Sequence, residues 1–194
     1  MQVQKQMKTW SQKPQKQNSR KPAVFLDRDG VLTEEKGYID SVEKLCIFPY
    51  VEECIRQIHE KGYYAIVVTN QSGVARGFFT EEKLQEINQY LIRRTNVDAV
   101  YYCPHHPEGA IEKYRMKCRC RKPETGMFLA ACKEFDIDME GSCMVGDRAG
   151  DMIAGQNAGI KTILLESGYG TANLEADVVP DYVFADLRDV PGIL

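Results

Sequence analysis

Two aspartates spaced by one residue follow four apolar residues without a break in Ala23-Val24-Phe25-Leu26-Asp27-Arg28-Asp29-Gly30. A short continuous apolar run reads as a strand covered on both faces. The carboxylates then fall at its C-terminal end, the edge at which open α/β sheets bind ligands. Side chains two apart in a regular strand point the same way, which would aim Asp27 and Asp29 together, and Gly30 lets the chain turn away at once. Such a pair suits a hard, oxygen-seeking cation such as Mg²⁺. An Asp-Gly surface turn after a strand would read the same, so the motif needs partners from elsewhere in the chain.

The elements that could bring those partners alternate. Val51, Cys54, Ile55 and Ile58 recur at helical spacing and Gly62 is placed to end that helix. A second buried strand over 63–70 runs into Thr69-Asn70-Gln71-Ser72-Gly73. Thr80 reads as an N-cap with Glu81 and Glu82 in the first turn, and Leu84, Ile87 and Leu91 mark the apolar face that follows. Further strands are expected over 97–102, 142–145 and 161–165, with an edge strand near 182–185. Further helices are expected around Phe128, Ala131, Cys132 and Phe135 and over 151–158. This alternation predicts a three-layer α/β/α sandwich around a mostly parallel sheet, without a large cap domain. Right-handed crossovers would gather the strand ends on one side, so that Asp27, Asp29, Thr69 and Asp147 converge although far apart in sequence.

That convergence has a chemistry. Mg²⁺ held by Asp27 and Asp147 would cancel repulsion between a carboxylate nucleophile and a phosphate. Asp27 can attack phosphorus and form an aspartyl-phosphate, splitting one hard step into two. Asp29 can protonate the leaving oxygen and then take a proton from water. Thr69 and nearby amides can hold non-bridging oxygens, and Lys122 supplies positive charge where negative charge gathers. Asp27-x-Asp29-Gly30, Thr69-Asn70, Lys122 and Gly146-Asp147-x-x-x-Asp151 resemble, in order, the four motifs of the haloacid dehalogenase superfamily, over residues 23–168. The resemblance implies Asp27 as nucleophile and Asp29 as general acid and base. It implies Mg²⁺ on the Asp27 carboxylate, the Asp29 backbone carbonyl and Asp147, with Thr69 and Lys122 on the phosphoryl group. Asp151 would stand behind them, orienting Lys122 or the metal site.

A second constellation, Cys103-x-His105-x12-Cys118-x-Cys120, places two close pairs of soft ligands on either side of a loop. Three thiolates and an imidazole suit a closed, tetrahedral, structural Zn²⁺. His106 competes with His105 for the fourth position. Four protein ligands leave no position for a reacting water, so the expected role is mechanical. One residue separates Cys120 from Lys122, and pinning the first pins the second. Cys46, Cys54, Cys132 and Cys143 lie in or beside apolar stretches and read as ordinary core or near-core residues.

The cysteine loop narrows the resemblance. Phosphatases of D-glycero-D-manno-heptose 1,7-bisphosphate share the Asp27 to Gly30 start, Gly37-Tyr38, Thr69 to Gly73, Cys103-Pro104-His105-His106-Pro107 and Arg121-Lys122-Pro123. The related histidinol-phosphate phosphatases carry the same zinc ligands across a shorter loop. By that resemblance the reaction is removal of the C7 phosphate to leave heptose 1-phosphate, in heptose biosynthesis such as that of lipopolysaccharide. The substrate would touch Arg28, Glu35, Lys36, Gly37, Tyr38, Thr69, Asn70, Gln71, Ser72, Arg121, Lys122 and Arg148. Arg148 stands where some members have Lys, and Arg offers the distal phosphate a bidentate fork. Two rival readings stay open, another phosphomonoesterase and a zinc-clipped binding module.

The remaining sequence bounds the setting. The 194 residues suffice for one domain, and the net charge of −3 provides no field for nucleic acid. Seven cysteines with no secretory apolar segment before them fit a reducing cytoplasm. No apolar run approaches membrane-span length. Residues 1–21 are rich in Gln, Lys and Ser and hold no acid, which predicts a disordered basic tail before a catalytic domain over 22–194. A small sugar bisphosphate is the expected partner, and the expected unit is a monomer.

Overall fold

The computed structural model describes residues 8–10, 20–174 and 176–194. In chain order its regular elements are β1 (Lys8–Trp10), β2 (Lys21–Leu26), α1 (Val51–Glu60), β3 (Tyr64–Asn70), α2 (Gly73–Arg76), α3 (Glu81–Thr95) and β4 (Ala99–Cys103). They continue with α4 (Gly126–Glu134), β5 (Ile137–Gly146), α5 (Ala149–Asn157), β6 (Lys161–Leu165) and β7 (Tyr182–Phe184). Among the described residues the sheet has the order β1-β4-β3-β2-β5-β6-β7. Every neighbouring pair is parallel except β1 with β4.

The continuous apolar strands follow from burial on both faces. Val24 and Leu26 of β2 pack with Ile55 and Ile58 of α1 and Ile87 and Leu91 of α3 in one apolar cluster. Ala23 and Phe25 pack with Phe128 and Ala131 of α4 and Ala154 of α5 in another. Alternate residues of one strand therefore feed two helix layers, and the expected sandwich is the fold observed. The helix signals hold locally. The Thr80 hydroxyl accepts a hydrogen bond from the Lys83 amide at 3.2 Å, and Gly62 leaves α1 at φ +86°.

Three expectations need revision. The tail expected to be disordered contributes Lys8–Trp10 to the sheet, antiparallel to Ala99–Tyr101; its residues 1–7 and 11–19 lie outside the described residues. The strand expected over 142–145 starts at Ile137, because β2 already pairs Lys21 with Ile137 and Pro22 with Asp138, before a register shift after which Val24 pairs with Cys143. Finally, β2 ends at Leu26, so strand alternation does not aim Asp27 and Asp29. The turn after it does, with the amides of Leu32 and Thr33 donating to the Arg28 carbonyl.

Candidate active site

From β2 the chain moves to β3 and β4 on one side and returns to β5 on the other. Strand order thus reverses at β2, and the crevice beyond its C-terminal end is where such sheets bind ligands. Asp27 stands there, its amide donating to the Val145 carbonyl of β5 at 2.9 Å. Asp147 directly follows β5. Asp27, Asp147 and Asp151 are buried, and each offers a carboxylate oxygen within 4.8 Å of the others.

Lys122 is buried among them, its Nζ 2.6 Å from Asp151 Oδ1 and 3.1 Å from Asp27 Oδ1. Burial works to lower its pKa, but the two carboxylates outweigh that and hold it above the ordinary lysine value. One ammonium does not neutralise three acids. Burial pushes Asp27 up to about 6 against the opposing pull of Lys122. Burial and the facing Asp27 and Asp151 push Asp147 up to about 7. Asp151 is fully engaged, since its Oδ2 also accepts from the amides of Asp147 and Arg148. Asp147 is not. Its Oδ2 accepts from the Tyr169 amide at 2.9 Å, whereas its Oδ1 is buried with no hydrogen-bond donor among the described residues. A buried carboxylate oxygen without a donor, beside a second carboxylate, fits a hard divalent cation. The cradle is close: a Cβ on Gly30 would stand 2.3 Å from Asp147 Oδ2, and one on Gly168 2.1 Å.

Asp29 and Thr69 complete the inner end. Asp29 accepts from Arg28 through both oxygens, Nε at 3.0 Å and Nη2 at 2.9 Å. It also accepts from Thr33 and Gln71. Thr69 is buried, and its Oγ1 accepts from Gln71 Nε2 at 3.0 Å, leaving the hydroxyl proton for another acceptor. Asn70 holds Lys122 from both sides. Its Oδ1 accepts from the Lys122 amide at 3.0 Å and its Nδ2 donates to the Lys122 carbonyl at 3.1 Å.

These groups open into a cleft of about 400 Å³, whose lining includes Asp27, Asp29, Glu35, Gly37, Tyr38, Thr69, Asn70, Gln71, Ser72, Arg121, Lys122, Arg148 and Asp151. Two residues expected to touch substrate lie elsewhere. Arg28 is fully buried, its guanidinium bound to Asp29 and Gln71, so it braces the acid instead of meeting a ligand. Lys36 is an exposed neighbour of Glu34 and Cys46. Tyr169 and Gly150 also line the cleft and went unread in the sequence. No motif marks Tyr169, which arrives on the loop after β6.

The second constellation is assembled as well. The sulfurs of Cys103, Cys118 and Cys120 stand 2.9–3.3 Å apart, and His105 Nδ1 lies 3.7–3.8 Å from Cys120 and Cys103. All four ligand atoms fall within 4.8 Å of one another, a donor set matching a closed zinc site. His105, not His106, joins it; His106 Nδ1 accepts from the Glu108 amide and its Nε2 faces Arg76. The register ties this cluster to the crevice, because Asn70 pairs with Cys103 across β3 and β4.

The comparisons with known proteins agree with this geometry. The HAD-hydrolase-like family model matches residues 119–190. D-glycero-β-D-manno-heptose-1,7-bisphosphate 7-phosphatase of Salmonella typhi is 39% identical over 178 residues, covering 89% of this chain and 95% of the relative. The chain belongs to this family of heptose-bisphosphate phosphatases within the haloacid dehalogenase-like hydrolases. A solved member of the family, D,D-heptose 1,7-bisphosphate phosphatase from B. bronchiseptica complexed with magnesium and phosphate, superposes with a TM-score of 0.77 at 30% identity. That match covers 89% of this chain and 97% of the other. A HAD-like phosphatase from Mesorhizobium loti reaches a TM-score of 0.81 at 27% identity, covering 97% and 93%.

Proposed function

We propose that this protein is a magnesium-dependent phosphatase that removes the C7 phosphate of D-glycero-D-manno-heptose 1,7-bisphosphate and leaves heptose 1-phosphate. The observation that carries the reading is the division of one cleft. Asp27, Asp147, Asp151 and Lys122 are buried, while the partly exposed Arg121 and Arg148 line the cleft beside them, Arg148 reaching that cluster only through its Nε, 3.9 Å from Asp147 Oδ1. A substrate with two phosphates fits such a division. The relatives' names specify the β anomer, and we assign that anomer here.

In this reading Asp27 attacks phosphorus as the bond to the C7 oxygen breaks. Asp29 gives that oxygen its proton. Asp29 then takes a proton from water, which attacks the aspartyl-phosphate, releases phosphate and restores the Asp27 carboxylate. To reach the leaving oxygen, Asp29 exchanges its contacts with Arg28 for the substrate. Lys122 and the Thr69 hydroxyl hold the non-bridging oxygens, with Lys122 fixed by Asp151 and Asn70. Asp27, the Asp29 carbonyl and Asp147 would hold Mg²⁺, whose positive charge would reduce repulsion between nucleophile and phosphate. Zinc on Cys103, His105, Cys118 and Cys120 is structural. The enzyme acts on a small molecule and not on nucleic acid or membrane, as a cytoplasmic monomer; among the described residues no helix is long and apolar enough to cross a membrane.

The direct test is phosphate release from the α and β heptose bisphosphates and from histidinol phosphate, with Asp27→Asn as control. The expected result is preference for the β heptose bisphosphate and loss of turnover in the variant, with its circular dichroism unchanged. Preference for histidinol phosphate, or undiminished turnover in Asp27→Asn, would overturn the reading.

A further inference from the structure

Tyr169 touches both Asp147 and Arg148. Its amide donates to Asp147 Oδ2 at 2.9 Å, and the amide of Gly170 donates to the Asp147 carbonyl at 3.0 Å. The loop after β6 is thereby fixed to the carboxylate at the inner end. The Tyr169 ring meets Arg148, whose guanidinium carbon lies 3.9 Å from its centroid. That is a close cation–π contact. The Arg148 side chain is about half exposed, at 48%, so its ring and carboxylate contacts matter for where its fork points.

The shortest polar contact of Arg148 is with an acid from across the cleft, well inside the 3.9 Å approach of its Nε to Asp147 Oδ1. Its Nη2 donates to Glu35 Oε2 at 2.7 Å, between residues 113 apart in sequence. The other Glu35 oxygen accepts from the Gly37 amide at 2.7 Å, which fixes Glu35 to its own loop. One guanidinium is therefore held by a ring on its face and a carboxylate on its edge. A phosphate takes the same edge of a guanidinium that a carboxylate takes, and takes it bidentately.

We propose that Tyr169 is a specificity-determining positioning residue, which sets how far from the inner carboxylates Arg148 presents its fork to the substrate's second phosphate. Glu35 is the resident counter-ion that this phosphate displaces. The backbone of Tyr169 is tied to Asp147 and its ring to Arg148, so one residue is fixed both to the buried carboxylate and to the cation assigned to the retained phosphate. The inference rests on the sugar-bisphosphate reading above, and identifies the part of the site that tells a bisphosphate from a monophosphate.

The test is the ratio of kcat/KM for heptose 1,7-bisphosphate to that for heptose 7-phosphate. It is measured in the full-length enzyme, in Tyr169→Ala and Tyr169→Phe, and with each substitution added to Arg148→Ala. Tyr169→Ala is expected to lower the ratio about fivefold, the size of one cation–π contact, chiefly through KM for the bisphosphate. Tyr169→Phe keeps the ring and is expected to stay within about twofold of the parent ratio. In the Arg148→Ala background neither substitution is expected to change the ratio further. An unchanged ratio in Tyr169→Ala, or an equal fall with and without Arg148, would overturn the inference. Should the alanine variant not fold, Tyr169→Leu fills the space without a π face and reads the same ratio. If the parent enzyme itself leaves the bisphosphate intact, the proposed function falls and the inference with it. Turnover of the bisphosphate with an unmoved ratio removes only the role of Tyr169.

Discussion

Asn70 illustrates how a residue's neighbours redefine its role. Its place after Thr69 suggests a substrate contact, yet its carboxamide is spent on the backbone of Lys122, donating to the carbonyl and accepting from the amide. Those bonds fix the stem of the ammonium that pairs with Asp27 and Asp151. Asn70→Ala removes both, and two neutral hydrogen bonds are worth ~1–3 kcal/mol. Steady-state kinetics should therefore show kcat/KM lower by roughly ten- to a hundredfold, with the fold intact by circular dichroism. Unchanged kinetics would mean that the carboxylates alone hold Lys122. The same lesson applies to Arg28 and Lys36. Their types suit phosphate, and sequence cannot show that the first is consumed by Asp29 and Gln71 and the second by Glu34 and Cys46. The aspartates were legible because they follow apolar runs that read as buried strands, whose C-terminal ends bind ligands, and Lys122 through its resemblance to a family motif. Tyr169 was not, because an aromatic in a loop has many uses.

Among the elements, parallel strands were the most legible, since burial on both faces writes them as unbroken apolar runs. The run Lys161–Leu165 was read to the residue. What sequence could not show was pairing decided from outside the segment. Lys8–Trp10 is too short to show a period and pairs with β4, and the first half of β5 mixes Asp138 and Glu140 with apolar residues and meets β2 across a register shift. The Cys3His loop was legible from spacing alone, and its position carries a prediction. Cys120 is two residues from Lys122, and the Gly126 amide closes the same segment onto the Arg119 carbonyl at 2.8 Å. Removing zinc should therefore loosen the Lys122 loop while the sheet keeps its core. Enzyme stripped with a thiol-competing chelator and resupplied with saturating Mg²⁺ should lose most of its phosphatase activity and little of its far-ultraviolet dichroism. Metal analysis showing zinc gone with activity intact would refute the mechanical role.

For the molecule as a whole, the sheet places three acids and one lysine in a buried crevice, and global stability must register that charge. Burial pushes Asp27 up to about 6 and Asp147 up to about 7, both above the ordinary value of 3.8 from which they start. A carboxyl whose folded pKa lies above its unfolded one stabilises the fold while neutral. That contribution is complete below about pH 4 and is lost as pH rises through about 6 and then 7. Surface acids paired with cations, such as Glu53 held down to about 2 by Arg56, have already ionised by then and add no slope in this window. His106, lowered by burial, contributes with the opposite sign. Protein dialysed free of magnesium but retaining zinc should therefore melt lower at pH 8 than at pH 5. A fall of several degrees is the scale expected, since each ~1 kcal/mol moves Tm by roughly 2–4 °C in a chain of this size. Mg²⁺ binds the ionised acids and so restores more stability at pH 8 than at pH 5. Asp147→Asn removes one of the two titrations and should flatten both the pH slope and the magnesium response, which separates the crevice from His106. A melting temperature indifferent to magnesium at pH 8 would mean that the acids are not gathered around a cation, and with that the electrostatic basis for an aspartate nucleophile would be lost.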